Sequence, residues 1–318
     1  MQYKEPIFLE PAFQERIWGG KKLQSIYGYD IPHEQTGEAW VISAHEQGPS
    51  MILNGALKGE SLRTAWEEYP ALFGQVSGDR EFPLLVKIID ANDRLSVQVH
   101  PDDTYAQAVE NEPYGKTECW YVLECEENSE IIYGHHAQSK EEFERLIAAG
   151  KWDELLTRVP VKPGDFFYVP SGTIHAIGKG IVILEIQQSS DITYRLYDYD
   201  RKDTEGNGRE LHLESALAVT NYPHTSKPLV HVEEKVGNIE RVQLIKASYF
   251  TVDHWKVTGE FTHTMEADYL LVSVIKGNGQ ITMNEQVYPL QKGDHFIVPA
   301  LIDSFSLSGI CELIVASE

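Results

Sequence analysis

A chain of 318 residues with 42% hydrophobic and 24% charged side chains has ordinary globular composition, which excludes a disordered or collagen-like polymer and allows one large or two modest domains. Lys and Arg number 27 against 49 Asp and Glu, a net charge of −22. A field of that sign repels nucleic acid and anionic lipid, so neither is expected as a partner, and a small anionic substrate would need a local cluster of Lys and Arg.

Three cysteines, Cys119, Cys125 and Cys311, form no CxxC pair, which fits a reducing compartment without a disulfide framework. The opening residues carry no apolar signal-peptide core. No run approaches the roughly 18 uncharged apolar residues of a membrane span. A cytoplasmic protein, monomeric or weakly homo-oligomeric, is expected.

In chain order, a helix is predicted over 61–73, where Ser61 caps a stretch carrying Leu62, Trp66 and Leu72. Strands follow at 84–90, 119–124 and 129–133, rich in Val, Ile and Tyr. Ser139 and Glu142 make a capping-box pattern ahead of Phe143, Leu146 and Ile147, predicting helix over 139–156. Strands at 165–169 and 181–187 precede a helix over 212–219, whose apolar face is Leu213, Ala216 and Leu217. The stretch 222–228 (YPHTSKP) reads as a domain boundary, dividing the chain into 1–222 and 223–318. Strands at 268–276 and 294–298 follow it. Each part holds a strand opened by Gly-Asp and closed by Pro, Gly164–Pro170 and Gly293–Pro299, an echo that reads as one β-fold used twice. The fold class is therefore all-β, with a few decorating helices.

The segment Arg94–Asp103 carries the chemistry. In a strand, Ser96, Gln98 and His100 share one face while Leu95, Val97 and Val99 share the other. A solvent-facing edge strand would also alternate, but this polar face has no Lys or Glu. The same rule puts Lys116 and Glu118 together and turns Cys119 away from them. Gly164-x5-Pro170-x-Gly172-x2-His175 matches the second motif of the cupin superfamily, and Gln98 and His100 followed by Glu118 resemble its first motif with the leading His replaced. Two imidazoles, a carboxylate and an amide oxygen suit a borderline divalent ion such as zinc. His135 and His136 read as a solvated turn, and the remaining histidines have no ligand spacing.

An ordered set of motifs then resembles the type I mannose-6-phosphate isomerases in their short bacterial form. They are Trp18-Gly19-Gly20, Gly37–Ser43, Ser96–Asp102, Lys116-Thr117-Glu118, Pro170–Ala176, Glu185–Asp191 and Thr193-Tyr194-Arg195. The resemblance implies a double jelly-roll, or bicupin, and one zinc per chain on Gln98, His100, Glu118 and His175. It also implies interconversion of mannose 6-phosphate and fructose 6-phosphate through a cis-enediol. By position it makes Arg195 the catalytic arginine and Ser96, Lys116, Glu185, Asp191 and Arg201 substrate-lining. Arg201 stands where longer members often carry Lys, their large helical insert is absent, and the C-terminal β-domain has no ligand histidine. Arg195 serves as a stabiliser rather than a base, since a guanidinium does not deprotonate. The base stays open between Lys116, Glu185, Asp191 and a metal-bound water; Lys116, Ser96 and Arg201 are the candidates for holding the phosphate. Two other readings compete: a metal-dependent cupin oxidoreductase, against which the Gln ligand and the Lys/Arg-lined face weigh, and a non-catalytic sugar-binding bicupin.

Overall fold

The computed structural model describes residues 3–202, 206–226 and 228–318; of the boundary stretch 222–228, Lys227 lies outside the described residues. Three antiparallel sheets form a double jelly-roll. A six-stranded sheet runs in the order Phe166–Val169, Glu118–Cys125, Ile181–Gln188, Leu84–Ala91, Thr36–Ile42, Ala12–Gly20. A five-stranded sheet runs Tyr194–Tyr197, Val97–Val99, His175–Ala176, Glu130–His135, Leu156–Pro160. The ten-stranded sheet is built mainly from the last 90 residues, and the first strand, Ile7–Glu10, joins it by pairing with His295–Val298.

Period-two alternation sorts side chains into layers. On the six-stranded sheet Val86, Ile88, Cys119, Leu184 and Ile186 face a core shared with Phe250, Leu271 and Ile314 of the ten-stranded sheet. Their alternates Ile89, Trp120, Val122 and Ile183 face the five-stranded sheet, meeting Leu95, Ile131 and Ile177. The outer face of the five-stranded sheet buries Val97, Val99, Tyr194 and Leu196 under helical residues Phe143, Leu146, Leu155 and Ala216. Strand Leu84–Ala91 is thus covered on both faces, which is why it reads as an almost unbroken apolar run.

The Gly-Asp echo is one turn built twice. Gly164 (φ 92°) and Gly293 (φ 94°) both take the left-handed region that favours glycine. The Asp165 carboxylate accepts from Lys162 N at 2.9 Å, and Asp294 accepts from Gln291 N at 2.7 Å. Gly164 N bonds Val122 O, and Gly293 N bonds Val274 O.

The helices differ in detail from expectation. Ser61 and Ser139 accept from Thr64 N and Glu142 N as caps. Pro70 has no N–H to continue the first helix, so 61–73 becomes Leu62–Glu68 and a 3-10 turn, Pro70–Phe73. Gly150 (φ 66°) splits 139–156 into Lys140–Ala148 and Trp152–Leu155. Helix Lys22–Tyr27 has no sequence counterpart in the expectation. His135 is the clearest correction: it ends strand Glu130–His135, buried against Phe143 and Tyr222, with Nε2 on Asn221 O at 2.9 Å. The predicted solvated turn begins one residue later, at exposed His136.

Candidate metal centre

Two facing sheets bring the ligands together. Val97–Val99 pairs His175 and Arg195 against Gln98 in one rung, so Gln98, His175 and Arg195 all point at the six-stranded sheet. Glu118 points back from its first residue. The result is a buried group of His100, Glu118 and His175 whose ligand atoms lie within 4.8 Å of one another, each residue 1% exposed.

The donor set fits a cation. His100 Nδ1 meets Ile192 O at 2.7 Å and His175 Nδ1 meets Thr173 O at 2.8 Å. A carbonyl only accepts, so each Nδ1 carries the proton and each Nε2 turns a lone pair inward. Those Nε2 atoms stand 3.5 Å and 3.4 Å from the two oxygens of Glu118. Burial pushes His175 down to about 4 and His100 well below its usual range, keeping both rings neutral at pH 7. Glu118 is buried with one oxygen near each Nε2, and the neighbouring Lys116 offsets part of its charge. The Gln98 amide lies 3.4 Å from His175 Nε2, and its rotation presents the oxygen to the same point.

Lys116 Nζ sits 2.9 Å from Glu118 Oε2 and 3.2 Å from His100 Nε2. Burial alone would lower its pKa, but Glu118, Glu185 and Glu38 outweigh burial and raise it. Lys116 is therefore an ammonium. Beside it, Trp120 Nε1 donates to Glu118 Oε1 and to Glu185 Oε1, both at 3.0 Å.

A rung of register-paired residues crosses the floor of the six-stranded sheet: Trp120, Glu185, Lys87 and Trp40. Lys87 Nζ lies 3.5 Å from Glu185 and 3.9 Å from Glu38. Burial and then Glu118 raise Glu185 above the usual carboxylate range. Glu38 goes the other way. Burial would raise it, but Lys87, Arg16 and Trp40 Nε1 bring it down to about 2. Glu38 and Lys87 were missed as site residues; the legible signal was a lysine inside the apolar run LLVKIID.

Above this floor is a cavity of about 330 Å³, of small-molecule size. Ser96, Gln98, Lys116, Glu185, Asp191 and Arg195 all line it. Arg201 does not; it is held on Asp198 and on Arg94 O, and Arg209 lines the cavity instead. A neighbouring hollow of about 410 Å³ presents Glu46, Glu67, Asp79, Glu81 and Glu112 against two arginines, a wall that repels an anionic sugar.

Comparison with known proteins points to one family. The family model for the phosphomannose isomerase type I catalytic domain matches residues 7–132, and that for the mannose-6-phosphate isomerase cupin domain matches 240–318. The mannose-6-phosphate isomerase ManA of Bacillus subtilis (strain 168) is 52% identical over 312 residues, 98% of each chain. The crystal structure of the mannose 6-phosphate isomerase from Bacillus subtilis superposes with TM-score 0.95 at 48% identity, covering 98% of this chain and 99% of that one. A mannose 6-phosphate isomerase bound with zinc and yttrium shares the fold, with TM-score 0.81 at 19% identity over 98% of this chain and 99% of that one.

Proposed function

This chain belongs to the type I mannose-6-phosphate isomerases and is an aldose–ketose isomerase, and from that premise we propose that it works with one zinc ion through a cis-enediol. The observation that carries the metal is the buried cluster of two inward imidazole lone pairs and the Glu118 carboxylate, whose ligand atoms lie within 4.8 Å of one another. His100, Glu118, His175 and Gln98 hold the ion. When bound, zinc supplies a Lewis acid that draws electron density from a sugar oxygen. Zinc is preferred over harder ions because two of the four donors are imidazole nitrogens, and the fold's zinc-and-yttrium relative is consistent with it.

The chain's own residues carry the proton. Isomerisation takes a proton from C2 of the open aldose and returns it to C1, while the O2 hydroxyl proton ends on O1. Glu185 is the base: its raised carboxyl lines the cavity, and its Oε2 is buried with no hydrogen-bond partner. Lys116, held as an ammonium, and Arg195 place fixed positive charge where the oxyanion develops. Ser96 and Asp191 orient hydroxyls at the wall. Burial and Arg209 both lower Arg195, yet a guanidinium stays charged, so Arg195 stabilises and does not abstract. The catalytic domain is residues 1–222, with 223–318 completing the fold. The three unpaired cysteines suit a cytoplasmic enzyme.

A coupled assay following fructose 6-phosphate from mannose 6-phosphate, with and without chelator, tests this reading. We expect turnover to vanish with chelator and return with zinc. Full turnover from metal-stripped protein would overturn the zinc assignment, and iron content with oxygen uptake would overturn the isomerisation route.

A further inference from the structure

Resting on the isomerase reading, we propose that Arg209 is the anchor for the substrate's phosphate, and that Arg201 is not. Three guanidiniums, Arg195, Arg201 and Arg209, gather around the buried carboxylate of Asp198. Asp198 pairs with Arg201 and Arg209, Asp93 lies 3.7 Å from Arg201, and Arg195 has no ion-pair partner among the described residues, so the three guanidiniums outnumber these two carboxylates in a chain whose net charge is −22. A phosphate dianion is the ligand that neutralises such a surplus.

The three are not equivalent. Asp198–Arg201 is a tight turn with positive φ at both central residues, Tyr199 (59°) and Asp200 (55°), closed by Arg201 N on Asp198 O at 3.1 Å. That turn folds Arg201 back. Its Nε donates to Asp198 O, its Nη2 to Asp198 Oδ1, and its Nη1 to Arg94 O at 2.7 Å. Every nitrogen of Arg201 is engaged and the side chain does not line the cavity.

Arg209 donates Nε and Nη2 to the two Asp198 oxygens at 2.8 Å and 2.6 Å. Asp198 thereby fixes the plane of the guanidinium while its remaining edge lines the cavity. Arg195 gives Nη1 to Glu210 O at 2.7 Å and keeps a buried Nε with no partner. Arg209, pre-oriented by a carboxylate, offers its fork to the phosphate, while Arg195, the register partner of Gln98, keeps its spare N–H for the developing oxyanion.

The test uses the zinc-loaded enzyme and inorganic phosphate as the probe. Calorimetry gives the phosphate Kd independently of turnover, and steady-state assays give KM and kcat for mannose 6-phosphate. We expect Arg209→Ala to weaken phosphate and raise KM by about 10- to 100-fold, the size of a lost charge-assisted hydrogen bond, with kcat within about threefold. Arg201→Ala should leave both constants within about threefold. Arg209→Lys, which keeps the charge and loses the fork, should fall between, and it decides the question if Arg209→Ala does not fold. An unchanged phosphate Kd in the Arg209 variants, or a larger loss in Arg201→Ala, overturns the assignment. Either result would leave the isomerase reading intact, whereas a wild-type enzyme that binds phosphate but never turns over would sink that reading alone.

Discussion

Lys87 sets the charge balance of the cavity floor. It stands between Glu185 and Glu38 and over the Trp40 ring at 5.2 Å. Replacing it with Met leaves two buried carboxylates without their shared cation, at a cost of about 3–5 kcal/mol by denaturant unfolding. The pH profile should move with a definite sign. Lys87 is one of the groups holding the Glu185 pKa down, so its loss raises Glu185 further, and the acid limb of kcat/KM shifts to higher pH. An unmoved limb would remove Glu185 as the base. Arg195→Ala should keep its zinc, measured by metal analysis, and lose about 10²- to 10³-fold in kcat. At this scale the clustering of His100, Glu118 and His175, and with it the proposed ligand Gln98, was legible because each occupies an inward position of a strand or follows a fixed turn. Lys87 and Arg209 were not, since a lone lysine in an apolar strand and an arginine in a polar loop carry no spacing that distinguishes them from solvated charges.

The turn that delivers His175 is a short element with a tight backbone requirement. Gly172 has φ 80°, its N donates to His100 O at 2.9 Å, and its carbonyl accepts from Asn221 N at 2.9 Å. A Cβ there would press on the Asn221 side chain. Gly172→Ala should therefore cost about 1–2 kcal/mol in backbone strain and shift both histidines, weakening zinc in a chelator competition. Unchanged zinc affinity would mean that the turn does not position the ligands. Helix caps and the repeated Gly-Asp turn were legible because they rest on local chemistry. The two copies differ along the same register: Val122 and Val274 accept the equivalent glycine bonds, and four residues earlier Leu270 stands where the first copy has Glu118.

For the molecule as a whole, the main core runs through both halves, joining Val86 and Leu184 to Phe250, Leu271 and Ile314. Strand Ile7–Glu10 pairs with His295–Val298 across the chain's full length. No local pattern announces such a pairing, so the sequence boundary at 222 hid how closely the halves are joined. His295 sits at this junction, its Nε2 2.8 Å from Tyr29 OH and its Nδ1 2.8 Å from Ser273 Oγ. Burial holds it down to about 3. The unfolded chain takes a proton near pH 6.5 and the folded one does not. This group's contribution is therefore complete above pH 6.5 and lost as pH falls toward 3, at about 1.4 kcal/mol per unit. His295→Gln should flatten the fall in unfolding free energy between pH 6.5 and 4; an identical slope in the variant would show that His295 is protonated in the folded state.

The most direct check is a titration of zinc into metal-free protein with initial rates of mannose 6-phosphate turnover read at each addition. The rate should climb in proportion to zinc and break at one equivalent per chain, with His175→Ala flat throughout. A rate independent of added zinc, or a His175→Ala protein that responds as the wild type does, would contradict the assignment of this centre.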